Sequence, residues 1–288
     1  MPRHGNTRHG SLQFWPRKRA AKILPRVNWH SIKRPDVGLK GFIGYKVGMK
    51  SAFVKDKSTT SMTKGQRITI PVTVIEFPPM KIFSVRFYKD NILVTEILST
   101  HLDKELKRKL KLPRSYSKKL HDIKEDTFDT IRVVVYTVVK KTGIKKTPDI
   151  SEIGFNGNKQ EILHYVNEHL SKEISVKDFL NDSVLKQGLV DVRGLTKGKG
   201  FQGVVKRFGV KLKFHKSEKG QRSLGSGGPW HPARVDFSQP RAGQMGFFTR
   251  VTYNNKIVFV GNEKENTISP SEGFKHFGKV KNDYAILF

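Results

Sequence analysis

Hydrophobic positions along the chain read β, then mixed, then β again. From Gly41 to about Leu98, short β-branched and aromatic runs alternate with turn residues. Gly44 and Gly48 punctuate Phe42-Ile43 and Ala52-Phe53-Val54, and Ile68-Thr69-Ile70-Pro71-Val72-Thr73-Val74-Ile75 follows. Ile82–Tyr88 and Ile92–Val94 complete the series. Short runs of this kind predict a sandwich or small barrel. Pro71 has no amide hydrogen to donate, so part of its strand is expected at an edge or bulge.

The middle changes period. Leu102, Leu106 and Leu110 fall on one helical stripe within His101–Leu112, and Ile162, Leu163, Val166 and Leu170 do the same within Lys159–Leu170. Ile131–Val139 is a β-branched run long enough for a buried strand, and Ser175 with Asp178 has the spacing of a capping box before a short helix. The pattern is that of an α+β insertion with its own small core. The β signal returns at Leu189–Arg193, resumes around Val235, Val251–Tyr253 and Ile257–Val260, and ends with Tyr284–Phe288. The simplest plan is a mainly β chain: one barrel formed by residues 39–98 and 186–288, interrupted by an insertion at 99–185. Residues 1–38 hold four prolines and no sustained periodicity, which predicts an extended arm that buries too little to fold alone. The stretch 194–229 is too long for a hairpin turn and has no regular pattern, as functional loops often do.

Charge sharpens this picture. The 288 residues carry 55 Lys and Arg against 25 Asp and Glu, a formal net charge of +30. Residues 1–95 hold +15 of it, residues 96–191 only +3, and residues 192–288 the remaining +12. The cations are therefore concentrated in the flanks. Residues 1–35 include Arg3, Arg8, Arg17, Lys18, Arg19 and Lys22 and contain no acid. Residues 193–222 hold ten basic side chains against Glu218 alone. Ten like charges without acidic partners repel one another, so the expected partner is a polyanion. No apolar run approaches the roughly 18–20 residues of a membrane-spanning helix, and no basic-faced amphipathic helix suits a bilayer surface. The start of the chain has no apolar stretch, so a soluble, cytosolic protein is expected. With no cysteine there is no disulfide, Cys-based zinc site or thiol nucleophile.

Gly198-Lys199-Gly200-Phe201-Gln202-Gly203 spells G-x-G-x-x-G after a predicted strand. A dinucleotide site also needs a full helix and an acid to hold the ribose, and Gly209 interrupts the run too soon. Glycines that let the backbone approach a phosphate chain, with Lys197, Lys199, Lys206 and Arg207 to neutralise it, fit better. Lys211, Lys213, Lys216, Lys219 and Arg222 extend the basic stretch. Trp230 sits among Gly, Pro, His231 and Arg234, where it either folds back onto the core or stacks on a base; Trp15 in the arm poses the same choice. His4 and His9 lie in the basic arm, and the ten histidines form no metal-binding pair. No nucleophile elbow or carboxylate cluster supports catalysis. No metal, cofactor or small-molecule substrate is expected.

The chain resembles the universal large-subunit ribosomal protein L-three family in its archaeal and eukaryotic form. The residues that carry the resemblance are Pro2-Arg3-His4-Gly5, Pro16-Arg17-Lys18-Arg19, Gly44-Tyr45-Lys46-Val47-Gly48-Met49 and Val72-Thr73-Val74-Ile75-Glu76 with Pro78-Pro79-Met80. Thr196-Lys197-Gly198-Lys199-Gly200-Phe201-Gln202-Gly203, Pro229-Trp230-His231-Pro232-Ala233-Arg234-Val235 and Arg241-Ala242-Gly243-Gln244 complete them. The resemblance implies a translation-protein-like β-barrel that binds large-subunit rRNA, supports subunit assembly and meets neighbouring ribosomal proteins. It further implies an internal extension, here about 194–245, that reaches toward the peptidyl transferase centre with Trp230 near its tip. On the same ground the rRNA-binding set is Arg3, His4, Arg8, His9, Trp15, Arg17, Lys18 and Arg19 of the arm. It continues through the basic stretch named above to Trp230, His231, Arg234 and Arg241. Residues 213–217 depart from the family pattern, so no modified-histidine role is carried to His215.

The expected protein is thus a structural, non-enzymatic component whose two cationic extensions order on packing between rRNA helices. An RNA-acting enzyme with a basic channel and a DNA-compacting protein are the competing readings. The first lacks an acid, base or metal cluster in the sequence, and glycine-rich loops with aromatics suit irregular RNA better than duplex DNA.

Overall fold

The structure, a computed structural model, describes residues 10–32, 36–115, 120, 123, 127–180, 185, 188–227, 230–231 and 233–288. Its strands are β1 Gly38–Leu39, β2 Tyr45–Lys55, β3 Arg67–Phe77, β4 Met80–Lys89, β5 Ile92–Leu98, β6 Thr130–Thr137 and β7 Ile150–Asn156. The helices α1 Lys159–His169 and α2 Val176–Phe179 follow, then β8 Leu189–Leu195, β9 Phe201–Gln202 and a third helix, α3 Val204–Phe208. The strands β10 Gly243–Gln244, β11 Thr249–Asn262 and β12 Asp283–Leu287 complete the order. The chain divides into two compact units, Met1–Arg26 with Val192–Thr252 and Val27–Asp191 with Tyr253–Phe288.

The larger unit holds an antiparallel sheet in the order β1-β7-β6-β4-β5. Its centre is apolar on both strands of the β4–β6 pair: Val85 lies opposite Val133, and Ile82, Val85, Val133 and Val135 are wholly buried. Fully burying each such side chain stabilises the fold by about 1.5–3 kcal/mol relative to exposure. On this sheet α1 buries Ile162 and Val166, and Tyr165 meets Phe155 of β7 edge-on at 5.3 Å. The helix starts where Glu161 reaches back to accept from the Asn158 amide at 3.0 Å. At α2, Ser175 Oγ accepts from the Lys177 amide and Asp178 accepts from the Ser175 amide, the reciprocal box its sequence spacing predicted. The stripe of Leu102, Leu106 and Leu110 yields only a 3-10 helix, Lys104–Arg108, that buries Leu106. Leu110 is left exposed.

The second sheet runs β2-β3-β12-β11-β8 and draws strands from both flanks of the insertion. Val47, Val74, Val280 and Tyr284 form its core, with Phe274 and Ile286 packed against them. Glu76 is fully buried at the β3–β12 pair. Its Oε1 accepts from the Lys281 and Asn282 amides at 3.0 Å each and from Asn282 Nδ2 at 2.7 Å, which fixes the turn leading into β12. Pro71 pairs with Ser51 of β2, while β12 covers only Thr73–Phe77 of β3. The missing amide of Pro71 therefore faces an open edge, as expected.

The structure is mainly β with antiparallel sheets, and in it the expected barrel stays open. Among the described residues no pairing joins β2 to β8. β4 and β5, whose runs belong in sequence to the first β segment, hydrogen-bond to β6 of the middle segment instead. That leaves five strands in the second sheet, few to curl through a closed hydrogen-bond register.

Acids of the near-neutral middle are paired within the larger unit. Arg86 pairs with Glu152 at 2.9 Å and Glu96 at 3.1 Å, Arg132 with Glu152 at 3.2 Å, and Lys81 with Asp103 at 3.1 Å. Trp29 also belongs to this unit. Its indole N–H donates to Glu152 O at 2.8 Å while its ring lies over Gly41, so the second half of the arm is pinned to the sheet.

Candidate nucleic-acid interface

The smaller unit joins the two cationic segments that the sequence presents as separate limbs. Over Met1–Arg26 and Val192–Thr252, twenty Lys and Arg stand against Glu218 and Asp236, a formal charge of +18. Asp236 is engaged by its own turn, accepting from the Ser238 hydroxyl at 2.7 Å and the Ser238 amide at 3.3 Å. Those two bonds, the hydroxyl first, hold its carboxyl below the ordinary carboxylate range.

Aromatic rings bring the limbs together. Trp15 lies 5.8 Å from Phe208 and 6.2 Å, edge-on, from Phe237. The Arg17 guanidinium sits 4.1 Å over the Phe208 ring, Arg19 lies 5.3 Å over Phe247, and Arg250 lies 4.1 Å over Phe14. Contacts of this kind contribute about 0.5–1 kcal/mol each where solvent reaches them. Backbone bonds add direction. Arg17 Nη1 donates to Arg207 O at 2.7 Å and Arg207 Nη2 to Arg17 O at 3.3 Å. Arg207 also reaches Gln244 O at 2.9 Å and Arg241 O at 2.8 Å, and the Ala20 amide donates to Phe247 O at 3.0 Å. Burial alone lowers the pKa of the Arg207 guanidinium, which stays charged at neutral pH.

The glycine fingerprint forms a compact turn and no dinucleotide fold. β9 pairs antiparallel with two-residue β10, and α3 is five residues long before Gly209 ends it at φ +68. The Thr196 amide donates to Phe248 O, Lys199 to Met245 O and Met245 to Gly200 O, a ladder that orders the first part of the 194–229 stretch. Gly246, at φ +71, makes the close approach possible: a Cβ there would sit 2.0 Å from Lys197 O.

This ladder presents the cations outward. Lys18, Arg19, Lys197, Lys199, Lys206 and Lys211 are exposed, as are Lys216, Lys219, Arg222, His231, Arg234 and Arg241. Trp15, Arg17 and Arg207 are half-buried and join arm to loop, so the structure gives them a positioning part that sequence alone did not supply. Lys213 is tied to the Ser223 hydroxyl at 2.8 Å. Arg3, His4, Arg8 and His9 lie outside the described residues. Trp230 is 89% exposed, which removes the core alternative for it. Phe201 and Phe214 are also exposed, so flat apolar faces alternate with cations over this unit. Sequence reading missed Phe208, Phe237, Phe247 and Arg250; their signal is the spacing of aromatics beside basic residues in Arg207-Phe208 and Phe247-Phe248-Thr249-Arg250. Among the described residues no group of His, Asp and Glu could hold a metal, and no helix is long and apolar enough to cross a membrane.

Residues 1–288 match the family described as Ribosomal protein L3. The chain belongs to the ribosomal protein L3 family. As a member of that family it is a structural, non-enzymatic ribosomal protein. Its sequence is 41% identical to "Large ribosomal subunit protein uL3" of Methanobrevibacter smithii, over all of this chain and 88% of that protein. The protein of the same name from Methanocaldococcus jannaschii is 42% identical over 97% of this chain and 85% of its own length. That from Archaeoglobus fulgidus is 41% identical over 97% and 86%.

Proposed function

We propose that this chain is a structural constituent of the large ribosomal subunit, in the cytoplasm, that binds large-subunit rRNA through its smaller unit. The observation that carries the reading is the +18 charge of that unit, borne mostly by exposed side chains among exposed aromatic rings. Lys197, Lys199, Lys206, Lys211, Lys216 and Lys219 act on phosphates, with Lys18, Arg19, Arg222, Arg234 and Arg241 around them. Each neutralised phosphate releases counterion, so affinity falls with salt at about 0.7–0.9 log units per contact. Trp230, with His231 beside it, offers a stacking face. Arg17, Arg207 and Trp15 hold arm and loop in one piece, and Lys213 stiffens the loop; Arg3, His4, Arg8 and His9 extend the set on the family resemblance.

The extension at 194–245 reaches toward the peptidyl transferase centre, and the body supports subunit assembly and meets neighbouring ribosomal proteins. We read the β2-β3-β12-β11-β8 sheet as the wall of a translation-protein-type barrel, since it combines strands from both flanks of the insertion. Two measurements test the proposal. The chain co-sediments with large subunits through a high-salt wash and prefers rRNA to duplex DNA at matched salt; preference for DNA overturns it. Subunits carrying Trp230→Ala incorporate the protein but lose peptidyl transferase activity; unimpaired translation removes the role given to that ring.

A further inference from the structure

The long β2–β3 pair runs past the end of β12. Register joins Lys50 to Val72, Phe53 to Thr69 and Lys55 to Arg67, whereas β12 covers β3 only from Thr73 onward. The outer half is therefore a two-stranded ribbon extending beyond β12. Its two faces differ. Ala52, Val54, Ile68 and Ile70 are half-buried, while Met49, Phe53, Lys55, Arg67 and Thr69 on the other face are exposed. Phe53 turns its ring to solvent at 71% exposure, with Met49 exposed on the same face.

The charge of the ribbon is one-sided. Lys46, Lys50, Lys55, Lys57, Lys64 and Arg67 lie between residues 45 and 75, with Asp56 the single acid. Asp56 is used by the turn. It accepts from the Ser58 amide at 2.8 Å and the Thr63 hydroxyl at 2.7 Å, and the Gly65 amide closes back on its carbonyl at 2.8 Å. The tip is thus built before any ligand arrives. Lys50 is also occupied, donating to Ile268 O beside the Phe274 ring. Lys55, Lys57 and Lys64 are exposed and have no carboxylate partner among the described residues. Arg67 lies 5.7 Å over Phe53.

We propose that this ribbon is a further RNA contact, separate in sequence from the arm and the 194–245 loop. An unpaired base stacks on Phe53 beside the Arg67 guanidinium, and Lys55, Lys57 and Lys64 hold the flanking phosphates. Charge complementarity selects a polyanion, and the exposed ring selects a looped or single strand over a duplex, whose bases are already stacked. The inference rests on the rRNA-binding reading above and adds a site to it.

The test uses the full chain and purified large-subunit rRNA in filter binding across a potassium chloride series. Lys55→Gln with Lys57→Gln and Lys64→Gln lowers the slope of log affinity against log salt by about 2 to 3, from 0.7–0.9 per contact. Phe53→Ala and Phe53→Leu each lower affinity on the order of 10-fold at unchanged slope, because Leu keeps an apolar surface but has no ring to stack. These positions are exposed, and unchanged thermal melting shows that the fold is kept. A wild-type slope in the triple variant overturns the proposal, and so does wild-type affinity in both Phe53 variants. If the wild-type chain itself shows no preference for rRNA over duplex DNA, the rRNA reading fails and this inference with it. If the wild-type chain prefers rRNA and the ribbon variants match it, the ribbon proposal alone fails.

Discussion

Replacing Arg207 by Lys keeps the charge and removes the fork. Arg207 spreads three bonds over the carbonyls of Gln244, Arg241 and Arg17, at 2.9, 2.8 and 3.3 Å. A lysine ammonium on one flexible stem reaches one of these carbonyls at a time, so two bonds are lost. Hydrogen bonds from a charged donor are worth about 1.5–3 kcal/mol when shielded, and less where water can replace them. Arg207 is half-buried and Arg241 is exposed, so we assign about 1 kcal/mol to each lost bond and about 2 kcal/mol in all. The Ala20 amide, bonded to Phe247 O, reports whether the arm is seated. At 1.4 kcal/mol per tenfold, its hydrogen exchange in the free protein accelerates roughly 30-fold in Arg207→Lys. Arg207→Ala, which removes all three bonds, accelerates the exchange further. Ala20 exchange at the wild-type rate in Arg207→Lys refutes the clamp and returns Arg207 to a plain phosphate contact.

Three further outcomes are expected. Lys197→Gln with Lys199→Gln lowers the salt slope of rRNA binding by about 1.4–1.8 without altering thermal stability, as filter binding and melting show. Gly246→Ala destabilises the protein by at least about 2 kcal/mol in urea unfolding, because a Cβ at positive φ meets a backbone carbonyl that has no room to move. Asp56 is held below the ordinary carboxylate range, first by the Thr63 hydroxyl and then by the Ser58 amide. Its contribution to the β2–β3 turn is therefore complete above the unfolded carboxylate value near pH 4 and is lost as pH falls through the lower folded value. Amide signals of Ser58 and Gly65, followed by NMR from pH 7 downward, pass through the ordinary carboxylate range near pH 4 without a transition in the wild type; a titration centred near pH 4 shows that the turn does not hold Asp56 ionised.

Much of the fold was legible because local rules and tertiary packing agreed. α1 and the Ser175 cap follow from spacing alone, and Pro71 marked the place where β12 ends. Disagreement arose where a partner decided the outcome. The leucines of His101–Leu112 repeat at helical spacing, yet only Leu106 has a core to enter, and a 3-10 turn suffices for it. β4 and β5 read as continuous with β2 and β3, but strand runs do not name their neighbours, and β4 pairs with β6. In the candidate interface, charge showed which segments matter. It did not show that Trp15 and Arg17 meet Phe208, because residues 15 and 208 are linked by ring contacts that leave no periodic trace.

The placement of β12 has a consequence for how the polypeptide is made. The strand slots between β3 and β11, and the Glu76 carboxylate waits for an amide 206 positions downstream. During synthesis the β2–β3 hairpin must therefore spend most of translation with one side of β3 open to whatever strand comes near. A nascent chain of this kind gains from a holding chaperone until residues 283–287 have left the exit tunnel, and fragments truncated before them should aggregate through that side.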